Sequence, residues 1–291
     1  MIALSPQPDF VFVLGDLVNF ASPKATGVTE TSNLQYWKTF MTTGVTPWVG
    51  LGSIPIYVAV GNSDLYGTDT WWTQAALQTA FATFVSSNNL IPSTLAATGP
   101  TTPVDYTNLT YSFEVGTETD KTLFVVLDSF GTYGTTHLDN DFDTELVDWF
   151  TTQANASSAY NHKFVFSHGP AFSSFGYTIG SKVATVWDLA LNNNFETFFC
   201  SHEHIFRRWN KYPASTPDAT KTLVQCLTGC AGASPSNLSS ITNPENRIYS
   251  GYNYVIVDVD GNNVIEKAYK VESDGAGGYT SQPLDTLIIS K

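Results

Sequence analysis

The stretch "DFVFVL", residues 9–14, is a short run of β-branched and aromatic side chains that ends in Gly15-Asp16. Three further runs share this design, and each leads through a small residue to a polar one: "IYVAV" (56–60) before Gly61-Asn62, "KFVF" (163–166) before Ser167-His168, and "ETFFC" (196–200) before Ser201-His202. Continuous apolar runs of this length are typical of strands buried on both faces of a sheet. Each run therefore predicts a buried strand with a possible metal ligand at its carboxyl end.

Between and beyond these runs, the sequence predicts helices and hairpins. Helical apolar spacing is present in residues 71–85, 144–154 and 182–192. Hairpins are predicted for two pairs of strands, 109–115 with 123–128 and 252–259 with 264–271. Alternating strands and helices predict an α/β sheet covered by helices, which binds ligands beyond the carboxyl ends of its strands. The four polar residues would meet there.

Composition narrows the possible functions. The chain has 291 residues, of which 42% are hydrophobic and 14% aromatic, so it can bury a large core, and we expect a single domain over residues 1–291. Twenty-six acidic and 13 basic residues leave a net charge of -13, which argues against a nucleic-acid partner or an anionic membrane surface. No apolar run approaches the roughly 18 residues that a membrane span needs.

The cysteines and the polar surface residues bear on the compartment. Three cysteines are too few for a disulfide scaffold, and they predict one bridge and one free thiol. The Ser, Thr and Asn content favours an extracytoplasmic or secreted glycoprotein, although residues 1–10 have no secretory signal pattern. Three asparagines have the sequence pattern of glycan acceptors: Asn108, Asn155 and Asn237.

Five polar residues make up the candidate metal-binding set: Asp16, Asn62, His168, His202 and His204. Carboxylate, amide and imidazole ligands suit divalent Zn, Mn or Fe. A carboxylate between two ions can bridge them, and two such ions can hold both oxygens of an in-line displacement at phosphorus. The two histidines of the His-x-His pair would point the same way in a strand, whereas in a tight turn they could diverge.

Each of these residues also has an ordinary structural explanation. An Asp after a strand commonly caps the next turn or helix, and an Asn after Gly commonly makes a turn. A His-x-His pair alone is a weak metal signal. The indication of a metal site comes from the ordered set, because four such residues follow four strand-like runs.

Four motifs carry a family resemblance: "GDLVNF" (15–20), "GNSD" (61–64), "SHGP" (167–170) and "SHEH" (201–204). They resemble the second to fifth signature blocks of the calcineurin-like metallophosphoesterases, which include the purple acid phosphatases. The likeness covers roughly residues 6–270. It implies a two-sheet mixed β sandwich flanked by helices, a four-layer α/β/β/α fold. It also implies hydrolysis of phosphate mono- or diesters by a metal-activated water.

The resemblance also implies how the ligands divide between two ions. Asp16 would bridge them, Asn62, His168 and His202 would complete one shell, and His204 would bind the other ion. The family's first block, Asp-x-His, is absent from this sequence. The second ion would keep only two ligands, which is too few for tight binding. We therefore expect an amino-terminally truncated family member, whose missing piece is absent or supplied by a separate fragment or another subunit.

Further departures concern catalysis. Ser63 stands where the family has a histidine that acts as leaving-group acid or transition-state stabiliser, and losing such an acid lowers the rate by roughly 100-fold or more. Asp64, which would orient that histidine, is left without that task. Asn19 replaces the tyrosine ligand of purple acid phosphatases, so no iron–tyrosinate colour is expected. Arg207 and Arg208 follow the His-x-His pair, and one of them, with Arg207 preferred, is a candidate phosphate contact; a solvated turn or a carboxylate partner is the alternative.

These departures leave two hypotheses for the function. The first is a metal-dependent hydrolase acting on a phosphate ester substrate. The second is a degenerate, weakly active or inactive family member that keeps the fold and serves as a surface, structural or assembly subunit. The remaining histidines, His137 and His162, have no patterned neighbours and are predicted to be surface residues.

Overall fold

The chain alternates between strands and helices along most of its length. The computed structural model describes residues 4–19, 32–45, 48–65, 75–118, 120–133, 136–210, 222–240 and 247–291. The helices are α1 (Ser32–Thr43), α2 (Ala75–Ser87), α3 (Thr144–Asn155) and α4 (Val183–Asn192). The strands are β1 (Val11–Val13), β2 (Gly44–Val45), β3 (Trp48–Val49), β4 (Ile56–Val58), β5 (Ala97–Thr98), β6 (Tyr111–Thr117), β7 (Asp120–Leu127), β8 (Phe130–Tyr133), β9 (Thr136–Asp139), β10 (His162–Ser167), β11 (Thr197–Cys200), β12 (Phe206–Asn210), β13 (Val224–Thr228), β14 (Ile248–Tyr249), β15 (Asn253–Asp260), β16 (Asn263–Ser273) and β17 (Tyr279–Ser290).

The largest sheet has eight strands in the order β14-β12-β13-β11-β10-β7-β6-β5. Its centre, β7-β10-β11-β13, is parallel, and the strands on either side are antiparallel to it. β1 and β4 form a parallel pair, and β15, β16 and β17 form an antiparallel sheet. Both predicted hairpins are confirmed, as β6-β7 and β15-β16.

The central strands of the large sheet are buried on both faces, and their side chains alternate between two cores. In β7, Leu123, Val125 and Leu127 pack with α3 and α4, whereas Phe124 and Val126 pack with the smaller sheets. A third core lies between β1 and β4 on one side and α1 and α2 on the other. The layers therefore run helices, small sheets, large sheet, helices, which confirms the predicted α/β/β/α order.

Stacked aromatic rings join the small sheets to the large one. The ring of Phe12 in β1 stacks on Phe166 in β10, with centroids 4.2 Å apart and planes 8° apart. Phe10 meets Phe124 edge-on at 5.4 Å. Burying a side chain of this size stabilises the fold by about 1.5–3 kcal/mol. This packing brings the carboxyl ends of β1, β4, β10 and β11 to the same edge of the sandwich.

Most predicted elements match the structure. The segments 144–154 and 182–192 are α3 and α4, and the helix predicted for 71–85 is α2 from Ala75 onward, while residues 71–74 lie outside the described ranges. Helix α1 and the long strand β17 were not predicted. The expected disulfide is wrong, because all three cysteines are free and buried. Cys200 and Cys226 lie on adjacent strands but belong to different cores, so their side chains point to opposite faces of the sheet.

Two further expectations concern the surface. Asn155 and Asn237 are exposed and Asn108 is half-buried, and glycosylation of all three stays a prediction. Within the described ranges, no helix combines the length and the apolar character needed to cross a membrane.

The prediction that His162 lies on the surface is wrong, because it is only 1% exposed. Its Nδ1 lies 3.0 Å from Glu196 Oε1, and its Nε2 lies 2.7 Å from the carbonyl oxygen of Gly261. Both partners are acceptors, so both ring nitrogens donate only when the imidazole is protonated. The bond to Glu196 outweighs burial and raises the pKa of His162. The imidazolium thus links the large sheet to the β15–β16 turn through two hydrogen bonds, and we call this contact the His162 clamp.

We expect this clamp to make stability depend on pH. A histidine whose pKa is raised by folding stabilises most below its unfolded pKa of about 6.5, and this contribution is lost as the pH rises through the folded pKa. We expect His162→Gln to lower the free energy of unfolding by about 1.5–3 kcal/mol at pH 5.5 and by less at pH 8.5. Urea unfolding at both pH values measures this. An equal loss at the two pH values would contradict the clamp.

Candidate metal-binding site

Two turns meet backbone to backbone at the edge of the sandwich. Gly15, with φ of 81°, follows β1, and Gly61 follows β4. A Cβ on Gly15 would lie 2.6 Å from the amide nitrogen of Gly61, and a Cβ on Gly61 would lie 2.3 Å from the amide nitrogen of Asp16. Only glycine fits at either position. This close approach explains why a glycine precedes both Asp16 and Asn62.

The carboxylate of Asp64 ties these two turns together. Its Oδ2 accepts from the N–H groups of Gly61 and Asp16, each at 2.9 Å. Its Oδ1 accepts from Leu17 at 2.7 Å and from Val18 at 3.3 Å. Complete burial and the nearby charge of Asp16 raise the pKa of Asp64, and the backbone donors oppose this. Asp64 therefore has a structural task, although the residue that it would orient in the family is absent.

His168 comes directly after β10 and is fully buried. Its Nδ1 lies 2.6 Å from the carbonyl oxygen of Leu14, so Nδ1 carries the hydrogen and donates it. Nε2 then faces Asn62 Oδ1, 3.1 Å away, and Asp16 Oδ2, 3.4 Å away, and it offers a lone pair to a cation when the imidazole is neutral. A histidine that ligates a metal is usually held in this way, with its other nitrogen donating to a carbonyl.

His202 and His204 lie in the turn after β11 and point to different partners. His202 has φ of 66°, and its Nδ1 lies 2.9 Å from Asn62 Oδ1 and 3.3 Å from His168 Nε2. His204 is half-buried, and its Nδ1 lies 3.1 Å from the carbonyl oxygen of Ser234. The turn therefore directs the two side chains to different partners. This is the divergent arrangement that the sequence left open as one of two alternatives.

Four donor atoms converge at this point, and they come from Asp16, Asn62, His168 and His202. Each lies 2.9–3.4 Å from its nearest neighbour in the cluster. Two ligands that each lie about 2.0–2.1 Å from one tetrahedral ion are about 3.3 Å apart. Carboxylate and amide oxygens and neutral imidazole nitrogens are all lone-pair donors, a set that suits a cation. Spacing and chemistry both fit one divalent ion.

The electrostatics give Asp16 and His202 the protonation states that a metal ligand needs. Burial lowers the pKa of His168, but the carboxylate of Asp16 raises it more strongly, and a bound cation would oppose this rise. Burial opposes ionisation of Asp16, but His168 and the hydrogen bonds from Ser63 outweigh it and lower the pKa of Asp16 to about 2. Burial, together with the charge of His168, lowers the pKa of His202 to about 3. Near neutral pH, Asp16 is therefore a carboxylate and His202 a neutral imidazole.

Asn62 is necessary to this cluster. In the part of the chain that the structure describes, no three His, Cys, Asp or Glu side chains are grouped so as to hold an ion by themselves. The amide oxygen of Asn62 contacts both His168 and His202 and completes the set. For a second ion, the predicted ligands are only Asp16 and His204, and two ligands do not make a complete shell.

Ser63 supports Asp16 directly. It begins a short 3-10 helix, Ser63–Leu65, and its N–H donates to Asp16 Oδ1 at 2.7 Å. Its side chain also hydrogen-bonds Asp16. The position that carries a catalytic histidine in the family therefore holds a residue that fixes the carboxylate.

The candidate phosphate contact, Arg207, is 1% exposed, and its guanidinium carbon lies 3.9 Å from the centre of the Trp209 ring. This placement does not present it to a ligand from solvent. Its neighbour Arg208 forms an ion pair with Asp285. The alternative of a carboxylate partner, which the sequence left open, therefore applies to Arg208.

Sequence reasoning missed several residues around the cluster. The Phe130 ring lies 5.4 Å from that of His168 and 5.2 Å from that of His202, and it closes one side of the site. Glu203 is 1% exposed and anchors a neighbouring loop, and Tyr177 in that loop lies beside His202. The position of Glu203 between two histidines was visible in the sequence, but its partners are about thirty residues away along the chain.

A four-layer α/β/β/α sandwich with carboxylate, amide and imidazole groups at the ends of its strands is the architecture of metal-dependent phosphoesterases. The chain belongs to the calcineurin-like phosphoesterase family, whose sequence model matches residues 2–206. No curated protein sequence matches the chain significantly.

Solved structures of low sequence identity share the fold. A purple acid phosphatase, PPD1, from yellow lupin (Lupinus luteus) seeds superposes with a TM-score of 0.65 at 15% identity, over 99% of this chain and 48% of that one. PhoD gives 0.63 at 13% identity, over 98% and 65%. GAP50, the anchor in the inner membrane complex of Plasmodium, gives 0.55 at 12% identity, over 95% and 78%. The chain thus spans about half the length of the lupin enzyme.

We expect Gly61→Ala to disrupt the site, because the added methyl carbon would lie 2.3 Å from both the amide nitrogen and Oδ1 of Asp16. Overpacking of this kind destabilises by about 1–3 kcal/mol. Thermal unfolding and calorimetric titration with Zn²⁺ measure the loss of stability and of metal binding. Gly232→Ala is the matched control, since a Cβ there meets no atom within 4 Å. Unchanged Zn²⁺ affinity in Gly61→Ala would refute this account of the turns.

Proposed function

We propose that the chain hydrolyses phosphate mono- or diesters with a water activated by a divalent ion, Zn, Mn or Fe. The main support is the convergence of four potential ligand atoms, from Asp16, Asn62, His168 and His202, each of which lies within 3.4 Å of another atom of the cluster. Membership of the calcineurin-like phosphoesterase family supports the reaction type.

In this proposal, the four residues hold the ion and the surrounding contacts fix their orientation. When bound, the ion supplies positive charge for the phosphate oxygens and lowers the pKa of a water molecule. Ser63 holds the carboxylate of Asp16, and Leu14 fixes the tautomer of His168. With 26 acidic and 13 basic residues, the protein otherwise repels an anionic ester, so substrate binding depends on this charge.

The proposal includes a second ion at Asp16 and His204 only if further ligands come from elsewhere. Among the described residues, β1 has β4 as its single strand neighbour. Asp16 follows the end of β1 by three residues, so a strand paired with the other edge of β1 could bring additional ligands close to the site. That strand would come from a separate amino-terminal fragment or from another subunit.

The second candidate function is that of a degenerate member acting as a surface, structural or assembly subunit. Two observations favour it. Ser63 is bound to Asp16 and does not release a proton readily near neutral pH. The second ion has too few ligands among the predicted residues.

We expect Asn62→Ala to separate these functions, because Asn62 joins both imidazoles. Purified protein is loaded with Zn²⁺ or Mn²⁺, its bound metal is measured by mass spectrometry, and hydrolysis of p-nitrophenyl phosphate and its diester is followed. Removal of one ligand should abolish turnover and reduce metal affinity by at least about 10- to 100-fold. Asn62→Asp, which keeps an oxygen ligand, is the matched control and should retain the ion.

The outcomes distinguish the two functions. One or two ions per chain, with turnover that Asn62→Ala abolishes, support the hydrolase. An absence of turnover, with or without one bound ion, supports the structural role. Two ions in the parent protein and one in His204→Ala would assign His204 to the second position.

We expect Ser63→His to raise activity, because a histidine at this position could protonate the leaving group. General acid catalysis contributes about 100-fold or more, and the gain should be larger for alkyl than for aryl phosphates, since alkyl alcohols are poorer leaving groups. The backbone N–H bond to Asp16 does not depend on the side chain. Steady-state kinetics on both ester types, with Ser63→Ala as control, test this. An equal gain in Ser63→Ala would contradict acid catalysis.

A further inference from the structure

A loop that contains Tyr177 borders the candidate metal-binding site. The Tyr177 ring centroid lies 6.0 Å from that of His202, with the planes at 67°. Phe130 also lies against His202, with ring centroids 5.2 Å apart, and is buried at 3% exposure, whereas Tyr177 is 55% exposed. The buried Phe130 ring is therefore not accessible to a ligand from solvent. Tyr177 offers an aromatic surface to solvent beside the cluster.

The loop is held by the residue between the two candidate ligand histidines. Glu203 is 1% exposed, and its Oε1 accepts from the Ser173 hydroxyl at 2.6 Å and from the Ser174 N–H at 2.8 Å. The Ser173 oxygen in turn accepts from the N–H groups of Phe175 at 3.1 Å and Tyr177 at 2.9 Å. One donor and two acceptor sites complete the capacity of this hydroxyl. A continuous chain of hydrogen bonds thus runs from the His202 turn to Tyr177.

A second anchor fixes the start of the loop. The amide of Gln225, which is fully buried in β13, bonds both backbone groups of Phe172, at 2.8 and 2.9 Å. Gly176, with φ of 77°, allows the reversal that places Tyr177 outward. The position of Tyr177 relative to His202 is therefore set before any ligand binds, which reduces the entropy lost on binding.

We propose that Tyr177 is a specificity-determining residue that selects phosphate esters with a flat aromatic leaving group. An ester whose phosphate lies at the cluster can place an adjoining ring on the exposed face of Tyr177. This inference rests on the proposed function, because it needs a phosphate at the metal site. Ser173 and Glu203 are positioning residues, since they act through the loop.

The chemistry of the leaving group agrees with this assignment. The amide and the hydroxyl of Ser63 are both bound to Asp16, and serine is a poor acid near neutral pH. A leaving group that departs as a stable anion therefore reacts best. Phenols ionise near pH 10, far below the range of alkyl alcohols, so an aromatic ester meets both requirements.

Calorimetric titration of Zn²⁺-loaded protein with phenylphosphonate and methylphosphonate tests the inference without turnover, because their carbon–phosphorus bonds are not hydrolysed. An aromatic pair contributes about 3- to 10-fold in affinity. We expect phenylphosphonate to bind more tightly than methylphosphonate by this factor. Tyr177→Ala should remove the preference and leave methylphosphonate binding unchanged, whereas Tyr177→Phe should retain it.

Two further variants separate positioning from general structural damage. Ser173→Ala breaks the hydrogen-bond chain at a point outside the metal-binding cluster. It should reduce the preference for phenylphosphonate and leave the affinity for methylphosphonate unchanged. Tyr279→Ala removes another exposed tyrosine, which lies in β17, and should change neither affinity.

Each outcome supports or overturns the inference. Equal affinities of the parent protein for the two phosphonates, or a preference that survives in Tyr177→Ala, would overturn it while the proposed function stands. If neither the phosphonates nor inorganic phosphate binds the Zn²⁺-loaded protein, the proposed function fails and this inference fails with it. Inorganic phosphate therefore serves as the reference ligand that tells the two failures apart.

Discussion

The site depends on the contact between two glycine-containing turns, which Asp64 holds together. Gly15 and Gly61 approach so closely that neither tolerates a Cβ, and four backbone N–H groups of the two turns share one buried carboxylate. A buried N–H group left unpaired costs about 1–3 kcal/mol, so these bonds strongly favour one arrangement. That arrangement sets the positions of Asp16 and Asn62 before any metal binds.

The aromatic interface between the sheets positions the histidines relative to these two turns. Phe12 on Phe166 fixes β1 against β10, and the bond from His168 to the carbonyl of Leu14 crosses the same interface. The candidate ligands on the two sheets therefore meet because the sheets pack face to face. Rigid elements on both sides hold the donor atoms more firmly than loops could. A chain with few charged residues can build such a site because the positions are set by apolar burial and backbone hydrogen bonds.

The residues around the cluster favour a particular chemistry. The side chain of Ser63 hydrogen-bonds Asp16, so under the proposed function proton delivery to the leaving group is weak and leaving-group acidity becomes important. Glu203 links the turn of the candidate ligand His202 to the loop that presents Tyr177. In our proposals, one turn after β11 thus supplies a metal ligand and also positions the residue that selects the substrate.

The sequence by itself determined the four buried strands, both hairpins, three of the four described helices and the polar residues that follow the four strands, while the layer order came from the family resemblance. These features are local, because hydrophobic periodicity and glycine before a polar residue can be seen in a single segment. Only the tertiary structure decided that Asp64 binds two turns, that His162 is a buried clamp, that Cys200 and Cys226 face opposite cores, and that Glu203 holds the loop of Tyr177. Each of these depends on contacts between residues far apart along the chain, which are fixed by how the sheets pack and not by the spacing of residues within one segment.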